Sequence, residues 1–290
     1  MNEKSSSMKG KNVIITGSSR GIGYYTAMGL AKKGAHVIIV SHNEARSKKA
    51  VQRISRKVGS GSADFYVADL SSQKDIRRLA ELVKSHYEHI DVLINNVGGW
   101  FRKYQHSPDG IEMTFALNHL SYFLLTGLLI DLLKASSPAR IVNVASDAHE
   151  QADQIHFEDI GFENGFRPYL AYAQSKLANI IFTYSLADRL EGTEITANAL
   201  HPGFVSSHLY RDFGILTGVI DFFADIFGKS PEEGAQTSIY LASVPEVANV
   251  SGKYFVDKQP ERSSPVSYDK EQAQRLWELS EKMTDFEYPV

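Results

Sequence analysis

The sequence predicts an α/β protein built on a mainly parallel, doubly wound sheet of seven strands, flanked by helices and held in a single domain. Two observations carry this. Short apolar runs alternate with longer helical stretches along the whole chain, the order that feeds parallel strands through crossover helices. Several of those runs also end in glycine or small polar residues, at Gly17, Asn95-Asn96, Ser146 and Pro202-Gly203. Sheets of this kind bind ligands outside the carboxyl ends of their strands, so these ends together outline one crevice.

The first run, Val13-Ile14-Ile15, leads into Thr16-Gly17-Ser18-Ser19-Arg20-Gly21-Ile22-Gly23, and a helical pattern follows to Lys33. A buried strand, a glycine-rich turn and a helix N-terminus make an anion site, with backbone N–H groups outward and no side chains in the way. The spacing is Gly-x-x-x-Gly-x-Gly rather than Gly-x-Gly-x-x-Gly, and a plain turn would also satisfy it. The second strand, Val37–Val40, ends at Ser41-His42-Asn43. A site preferring NAD usually has an acid here for the adenosine ribose, and positions 41–43 carry none. Arg20 and His42 could instead meet a 2′-phosphate. NADP(H) is therefore favoured and NAD(H) stays open, the alternative being that both residues are solvated surface groups.

A basic helix is expected over about 44–58, then a third strand, Phe65–Val67, ending in Asp69-Leu70, an edge suited to adenine. The next helix carries Ile76, Leu79, Leu82 and Val83, and Val92–Ile94 ends in Asn95-Asn96-Val97-Gly98-Gly99-Trp100. A long helical stretch over about 112–134 contains Asn118, a poor helix-interior residue, among Phe115, Leu117, Leu120 and Leu124. It is either a locally bonded amide or a functional one. The fifth strand, Arg140–Ala145, ends in Ser146, and the sixth, Ile195–Leu200, ends in His201-Pro202-Gly203. A helix over about 231–242 and a seventh strand, Lys253–Val256, complete the core, and a tail around Leu276–Ser280 closes the chain.

Between the fifth and sixth strands no Pro or Gly interrupts Tyr169–Leu190, and Leu177, Ile180, Ile181, Tyr184 and Ala187 recur at helical spacing. In a helix, Tyr172 and Lys176 lie one turn apart on one face, roughly 5–6 Å from each other. A fixed ammonium favours phenolate, so such a phenol is a tunable proton donor. A second Tyr-x-x-x-Lys, Tyr254–Lys258, follows Ser251-Gly252 and has strand composition. Four residues along a strand span about 13 Å, too far to couple, and Tyr254 is expected to be a core or edge aromatic.

Composition bounds the function. The chain is 43% hydrophobic and 22% charged, ordinary for a protein with a sizeable core. A net charge of −3 and no arginine stripe argue against nucleic acid. There is no cysteine, which excludes disulfides, thiolate metal sites and a cysteine nucleophile and fits a reducing cytoplasmic setting. The first ten residues are polar, unlike a signal peptide, and are expected to be flexible. No integral membrane span is expected, since no run approaches roughly 18 apolar residues. His149, Glu150 and His156 lack a helical metal spacing, so no metal is expected.

Taken in order, Thr16-Gly17-x-x-x-Gly21-x-Gly23, Asp69-Leu70, Asn95-Asn96-Val97-Gly98, Asn118, Ser146, Tyr172-x-x-x-Lys176 and Pro202-Gly203 resemble the classical short-chain dehydrogenases/reductases of the NADP-preferring type. Tyr172–Asn179, Ala199–Gly203, Gly234–Ser238 and Leu276-Trp277 are similar to the retinol-dehydrogenase-like branch of that family. The resemblance implies a Rossmann-type domain over 1–290 and an oxidoreductase interconverting an apolar aldehyde or ketone and its alcohol by hydride transfer. By resemblance, Tyr172 is the general acid/base and Lys176 lowers its pKa and bonds the nicotinamide ribose. Ser146 donates to the substrate oxygen, and Asn118 holds a water that relays protons past Lys176. The cofactor-binding set implied is Gly17, Ser19, Arg20, Gly21, Ile22, Gly23, His42, Asp69, Leu70, Asn96, Val97, Gly98, Tyr172, Lys176, Pro202, Gly203 and Val205. A homodimer or homotetramer is implied as well. Val97 stands where the family usually has alanine, and His42 where the branch usually has arginine, which loosens the coenzyme assignment.

Two rivals stand beside this reading: reduction of a C=C bond, known in a related branch with the same Tyr/Lys pair, and a non-catalytic NADP-binding regulator. The aromatic-rich 204–230 segment is expected to be a substrate lid, or else an amphipathic helix on the core or a subunit contact, and about 258–290 a C-terminal extension. Trp100, Phe101, His149 and Phe204 are candidates for the substrate pocket, whose expected occupant is a small apolar carbonyl or alcohol.

Overall fold

The computed structural model describes residues 7–59, 61–203 and 230–290. Alternation of strand and helix runs through it as β1 (Asn12–Thr16), α1 (Gly21–Lys32), β2 (His36–Ser41), α2 (Glu44–Lys57), β3 (Ser62–Val67), α3 (Gln73–His86) and β4 (Val92–Asn95). A continuous helix α4 (Met113–Ser136) follows, then β5 (Ala139–Val144), α5 (Pro168–Arg189) and β6 (Ile195–His201). After a helical turn at Pro231–Gly234 come α6 (Gln236–Ser243), β7 (Lys253–Val256), β8 (Gln259–Glu261) and α7 (Lys270–Thr284).

The sheet order is β3-β2-β1-β4-β5-β6-β7-β8, with the first seven strands parallel and β8 antiparallel to β7. The order reverses beside β1, so the crevice between the β1 and β4 ends is the switch point where such sheets take their ligand. Helices cover both faces, which is why the central strands are apolar without alternation. Ile14 and Ile38 face a core with α3 and α4, whereas Val13, Ile15, Val37 and Ile39 face one with α1, α2 and α6.

The sheet has eight strands rather than the expected seven. β7 turns back through Asp257 and Lys258, both at positive φ (49° and 68°), the geometry of a tight hairpin turn. Lys258 therefore sits in a turn, away from Tyr254, which is buried in β7. Pro260 pairs with Phe255 on the exposed edge strand, a place where a missing N–H is tolerated. The expected 231–242 helix is broken at Ala235 into two pieces. Of the expected flexible leader, Met8 is buried and its N–H bonds to Lys33 O at 2.8 Å. Among the described residues α4 is long and apolar enough to cross a membrane, but 83% of its apolar window is buried in the fold, the pattern of a core helix. The tail α7 packs across α4 and α5, with Trp277 5.2 Å from Phe123 and the Arg189 guanidinium 3.8 Å over the Trp277 ring.

Candidate active site

The β1–α1 turn has the local chemistry of an anion cradle. Gly17 (φ 66°) and Gly21 (φ 58°) occupy left-handed conformations that cost side-chain-bearing residues strain. A Cβ on Gly17 would lie 2.9 Å from Val97 Cα, and one on Gly23 2.6 Å from Asn96 Nδ2 and 2.7 Å from Gly17 O. Only bare backbone lets β1, α1 and the loop after β4 meet this closely. Asn96 seals the junction, its Nδ2 donating to Thr16 O at 2.8 Å and its N–H to Thr16 Oγ1 at 2.8 Å. Val97 N also donates to Thr16 Oγ1, at 3.0 Å. No side chain caps the N-terminus of α1 and its first turn has no acid. That positive helix end suits a pyrophosphate, so the residues present fit a dinucleotide. Ser19 and Ile22 are half-buried beside the turn and Arg20 is exposed at its tip.

At the end of β2 His42 is exposed, and its Nε2 accepts from an Arg46 terminal nitrogen at 3.1 Å. Arg46 lies in the first turn of α2 and was missed by sequence reasoning; its Nε is buried with no hydrogen-bond partner. The available signal was the four-residue spacing from His42, which brings the two together once α2 begins at Glu44. Asp69 is exposed and turned to its own chain, accepting from Ser71 N at 3.0 Å and Ser71 Oγ at 2.7 Å, while Leu70 is buried.

The chemistry-bearing residues sit at the ends of β4 and β5 and on α5. Lys176 is 3% exposed and its Nζ donates to Val144 O at 3.0 Å. The amine lies 5.6 Å from the Tyr172 ring centroid and 5.8 Å from that of Tyr122. Burial lowers the Lys176 pKa to about 7, because removing an ammonium from water disfavours its charged form. Tyr122 is wholly buried and donates to Val97 O at 2.8 Å, while Tyr172 is half-buried on α5. A Cβ on Gly98 would stand 3.3 Å from Lys176 Nζ, a tight contact, so the bare backbone there leaves room for the amine beside the loop after β4.

Ser146 lies two residues past the end of β5 and opens the turn Asp147–Gln151, which packs against α5. Its Oγ donates to Asp147 Oδ1 at 3.0 Å and accepts from Ala148 N at 3.1 Å. Asp147 N in turn donates to His201 Nδ1 at 3.2 Å. The structure thus brings Ser146 to the same helix that carries Tyr172 and Lys176.

Asn118 lies within a π-helical turn of α4, Ala116–Leu120. Its side chain pins the loop after β4, Oδ1 accepting from Gly99 N at 2.8 Å and Nδ2 donating to Gly99 O at 2.9 Å. The same Nδ2 donates to Ser175 Oγ at 2.9 Å. Asn118 is not the locally bonded amide of the first alternative, since it is fully buried and bonds two distant segments.

His149 is also fully buried. Its Nδ1 lies 2.6 Å from Ser146 O and its Nε2 accepts from Ser264 N at 3.1 Å, so Nδ1 carries the hydrogen. Both nitrogens are spent holding the Ser146 turn to the C-terminal segment, and neither is presented to a substrate. Trp100 and Tyr169 meet edge to face at 6.2 Å, and Tyr169 is half exposed at the start of α5. Pro202 and Gly203 (φ 87°) follow β6 directly. Phe204, Val205 and the expected lid lie outside the described residues.

A doubly wound sheet with a glycine cradle at its switch point, and a half-buried Tyr172 one turn from a buried Lys176 on the helix after β5, has the make-up of a dinucleotide-dependent oxidoreductase. A short chain dehydrogenase family model matches residues 11–214. Human retinol dehydrogenase 14 is 42% identical over 95% of this chain and 87% of its own, and human polyprenol dehydrogenase 39% identical over 93% and 84%. Among solved structures, an uncharacterized protein of Mycobacterium paratuberculosis superposes with a TM-score of 0.78 at 30% identity, covering 98% of this chain and 97% of that one. The Pseudomonas aeruginosa RhlG/NADP complex gives 0.69 at 30% identity over 88% and 97%. The chain belongs to the short-chain dehydrogenase/reductase family, on its retinol-dehydrogenase-like side.

Proposed function

We propose that this protein is an NADP(H)-dependent oxidoreductase that interconverts an apolar aldehyde or ketone and its alcohol. The observation that carries this is the enclosed Lys176 amine, bonded to Val144 O and set against the Tyr172 ring. A nicotinamide dinucleotide supplies the hydride chemistry when bound. Gly17, Gly21 and Gly23 with the α1 N-terminus would hold its pyrophosphate, Arg20, His42 and Arg46 its 2′-phosphate, and Lys176 its inner ribose.

The chain's own part is proton handling and charge stabilisation. Tyr172 gives its phenolic proton to the carbonyl oxygen in reduction and takes it back in oxidation. With a pKa brought to about 7 by burial, Lys176 sits between its charged and neutral forms near neutrality, and its proton is at hand for a Tyr172 phenolate. Ser146 turns its hydroxyl from Asp147 to the substrate oxygen, where charge develops. Gly98, Asn118 and Gly99 hold the loop that brings the cofactor face to these groups. Retinol and polyprenol, in the names of the relatives, are apolar alcohols, and the Trp100–Tyr169 pair offers an aromatic rim of matching character.

The test is consumption of NADPH against NADH over aldehydes and ketones of graded hydrophobicity, with product analysis. Alcohol formed from apolar carbonyls with NADPH is expected. Saturated carbonyl products would mark a C=C reductase, and tight NADPH binding with no consumption across the panel would mark a non-catalytic binder.

A further inference from the structure

The π-helical turn Ala116–Leu120 adds one residue to a turn of α4, and widened turns of this kind loosen carbonyls from the regular helical ladder. The carbonyl of Asn118 accepts from Asn179 Nδ2 on α5 at 2.9 Å. Asn179 Oδ1 meets His119 Nδ1 at 3.3 Å, and His119 Nε2 meets Ser280 Oγ of α7 at 3.0 Å. Asn179, His119 and Ser280 are all fully buried.

Donor and acceptor inventories orient this chain of bonds. Asn179 spends its nitrogen on Asn118, so the atom facing the imidazole is an oxygen that can only accept. Burial lowers the His119 pKa to about 4, and a neutral imidazole has one N–H and one acceptor. The bond to Asn179 therefore needs the hydrogen on Nδ1, which leaves Nε2 to accept from Ser280. The opposite tautomer would free Ser280 Oγ to donate to Leu276 O, 2.7 Å away, but would set two lone pairs against each other at Asn179. In the first arrangement every donor points one way, from Ser280 through His119 and Asn179 to Asn118, and successive bonds polarise one another.

We propose that His119, Asn179 and Ser280 are positioning residues that hold the Asn118 carbonyl, and through Asn118 the Gly98-Gly99 loop, in register with Lys176. The C-terminal helix is thereby part of the scaffold of the active site. Asn118 carries the constraint onward by its two bonds to Gly99 and its bond to Ser175, the residue before Lys176. The proposal rests on the oxidoreductase reading above for its kinetic consequence, but not for its hydrogen-bond direction.

The test uses the full chain. In the wild-type protein, the 15N shifts of His119 should place its hydrogen on Nδ1; a hydrogen on Nε2 overturns the relay. Asn179→Leu removes the donor to Asn118 in a side chain of similar size, with no carboxyl that could protonate and donate in its place. It should lower kcat about tenfold, the scale of one lost hydrogen bond, while the KM for the carbonyl and the affinity for NADPH stay within twofold. Gly99 amide exchange should speed up in parallel. Ser280→Ala, a milder change, should speed Gly99 exchange as well, and Ser280→Thr, which keeps the hydroxyl, should restore it. A folded Asn179→Leu protein with wild-type kcat and Gly99 exchange refutes the proposal, as does loss confined to thermal stability. If the wild-type protein turns over no carbonyl, the oxidoreductase reading fails, and the tautomer and exchange measurements still decide the relay.

Discussion

Lys176 Nζ donates to the carbonyl oxygen of Val144 at 3.0 Å, which ties the amine of α5 to the strand that delivers Ser146 two residues later. Sheet and helix thus share one hydrogen bond at the place where the proposed chemistry needs their spacing constant. The ring of Tyr172 lies beside that amine at 5.6 Å, so the phenol inherits the same frame.

Replacing Tyr172 by Phe keeps the ring and removes the proton. Turnover of a confirmed carbonyl substrate should fall by a factor on the order of 10² to 10⁴, the usual range for a lost general acid. NADPH affinity, read by quenching of protein fluorescence, should stay within about twofold. Wild-type kcat in this variant would remove Tyr172 from the mechanism.

Lys176→Met should abolish turnover yet stabilise the fold at neutral pH. The Lys176 pKa falls from 10.5 in the unfolded chain to about 7 in the folded one, so between those values the unfolded chain holds the extra proton and stability rises with pH. Below about 7 the buried charge is carried in full. The advantage of Lys176→Met in denaturant midpoint should therefore be largest near pH 7 and below, and should shrink as the pH approaches 10. An advantage that grew with pH would contradict the sign.

His119 gives a second, separate window. Its pKa drops from 6.5 to about 4 on burial, so the folded protein loses stability as pH falls from 6.5 towards 4. The full loss, reached below pH 4, is about 3.5 kcal/mol, at roughly 1.4 kcal/mol for each pKa unit. His119→Gln removes this dependence. Denaturation at pH 7.5 and 4.5 should show wild type losing more than the variant; equal losses would mean that His119 does not titrate as a buried base.

Arg46→Ala tests coenzyme choice. With the Arg46 terminal nitrogen on His42 Nε2, the pair offers a guanidinium beside the β2 end, where phosphate is bidentately met. The KM for NADPH should rise about tenfold or more, with little change for NADH. Equal changes for both coenzymes would place Arg46 outside the 2′-phosphate site.

Much of the fold was legible because its signals are local. Buried runs such as Val37–Val40 and the uninterrupted Tyr169–Leu190 stretch each declare a period, and the strand ends declare the crevice. β8 was hidden because Pro260 argues against a strand unless the edge is already known. The π-helical turn was hidden because an extra residue in one turn leaves no compositional trace. Arg46 is not legible from the residues immediately after β2, because its approach to His42 depends on where α2 begins. His119 and Asn179 have meaning only across distances of about 60 residues in sequence, which periodicity does not read. His149 looked like pocket lining from its place after Ser146, but its ring is consumed by Ser146 O and Ser264 N.

The widened turn at Ala116–Leu120 makes α4 intolerant of length variation. Each residue of an α-helix advances about 100°, so deleting one residue there, which would convert the bulge to regular helix, would swing Asn118 off the Gly99 loop while leaving the hydrophobic pattern of Ser121–Ser136 apparently sound. Natural or engineered insertions in this protein should therefore be borne by the loop before Met113, and a homologue with a regular helix at this point would need a different way of holding its cofactor loop.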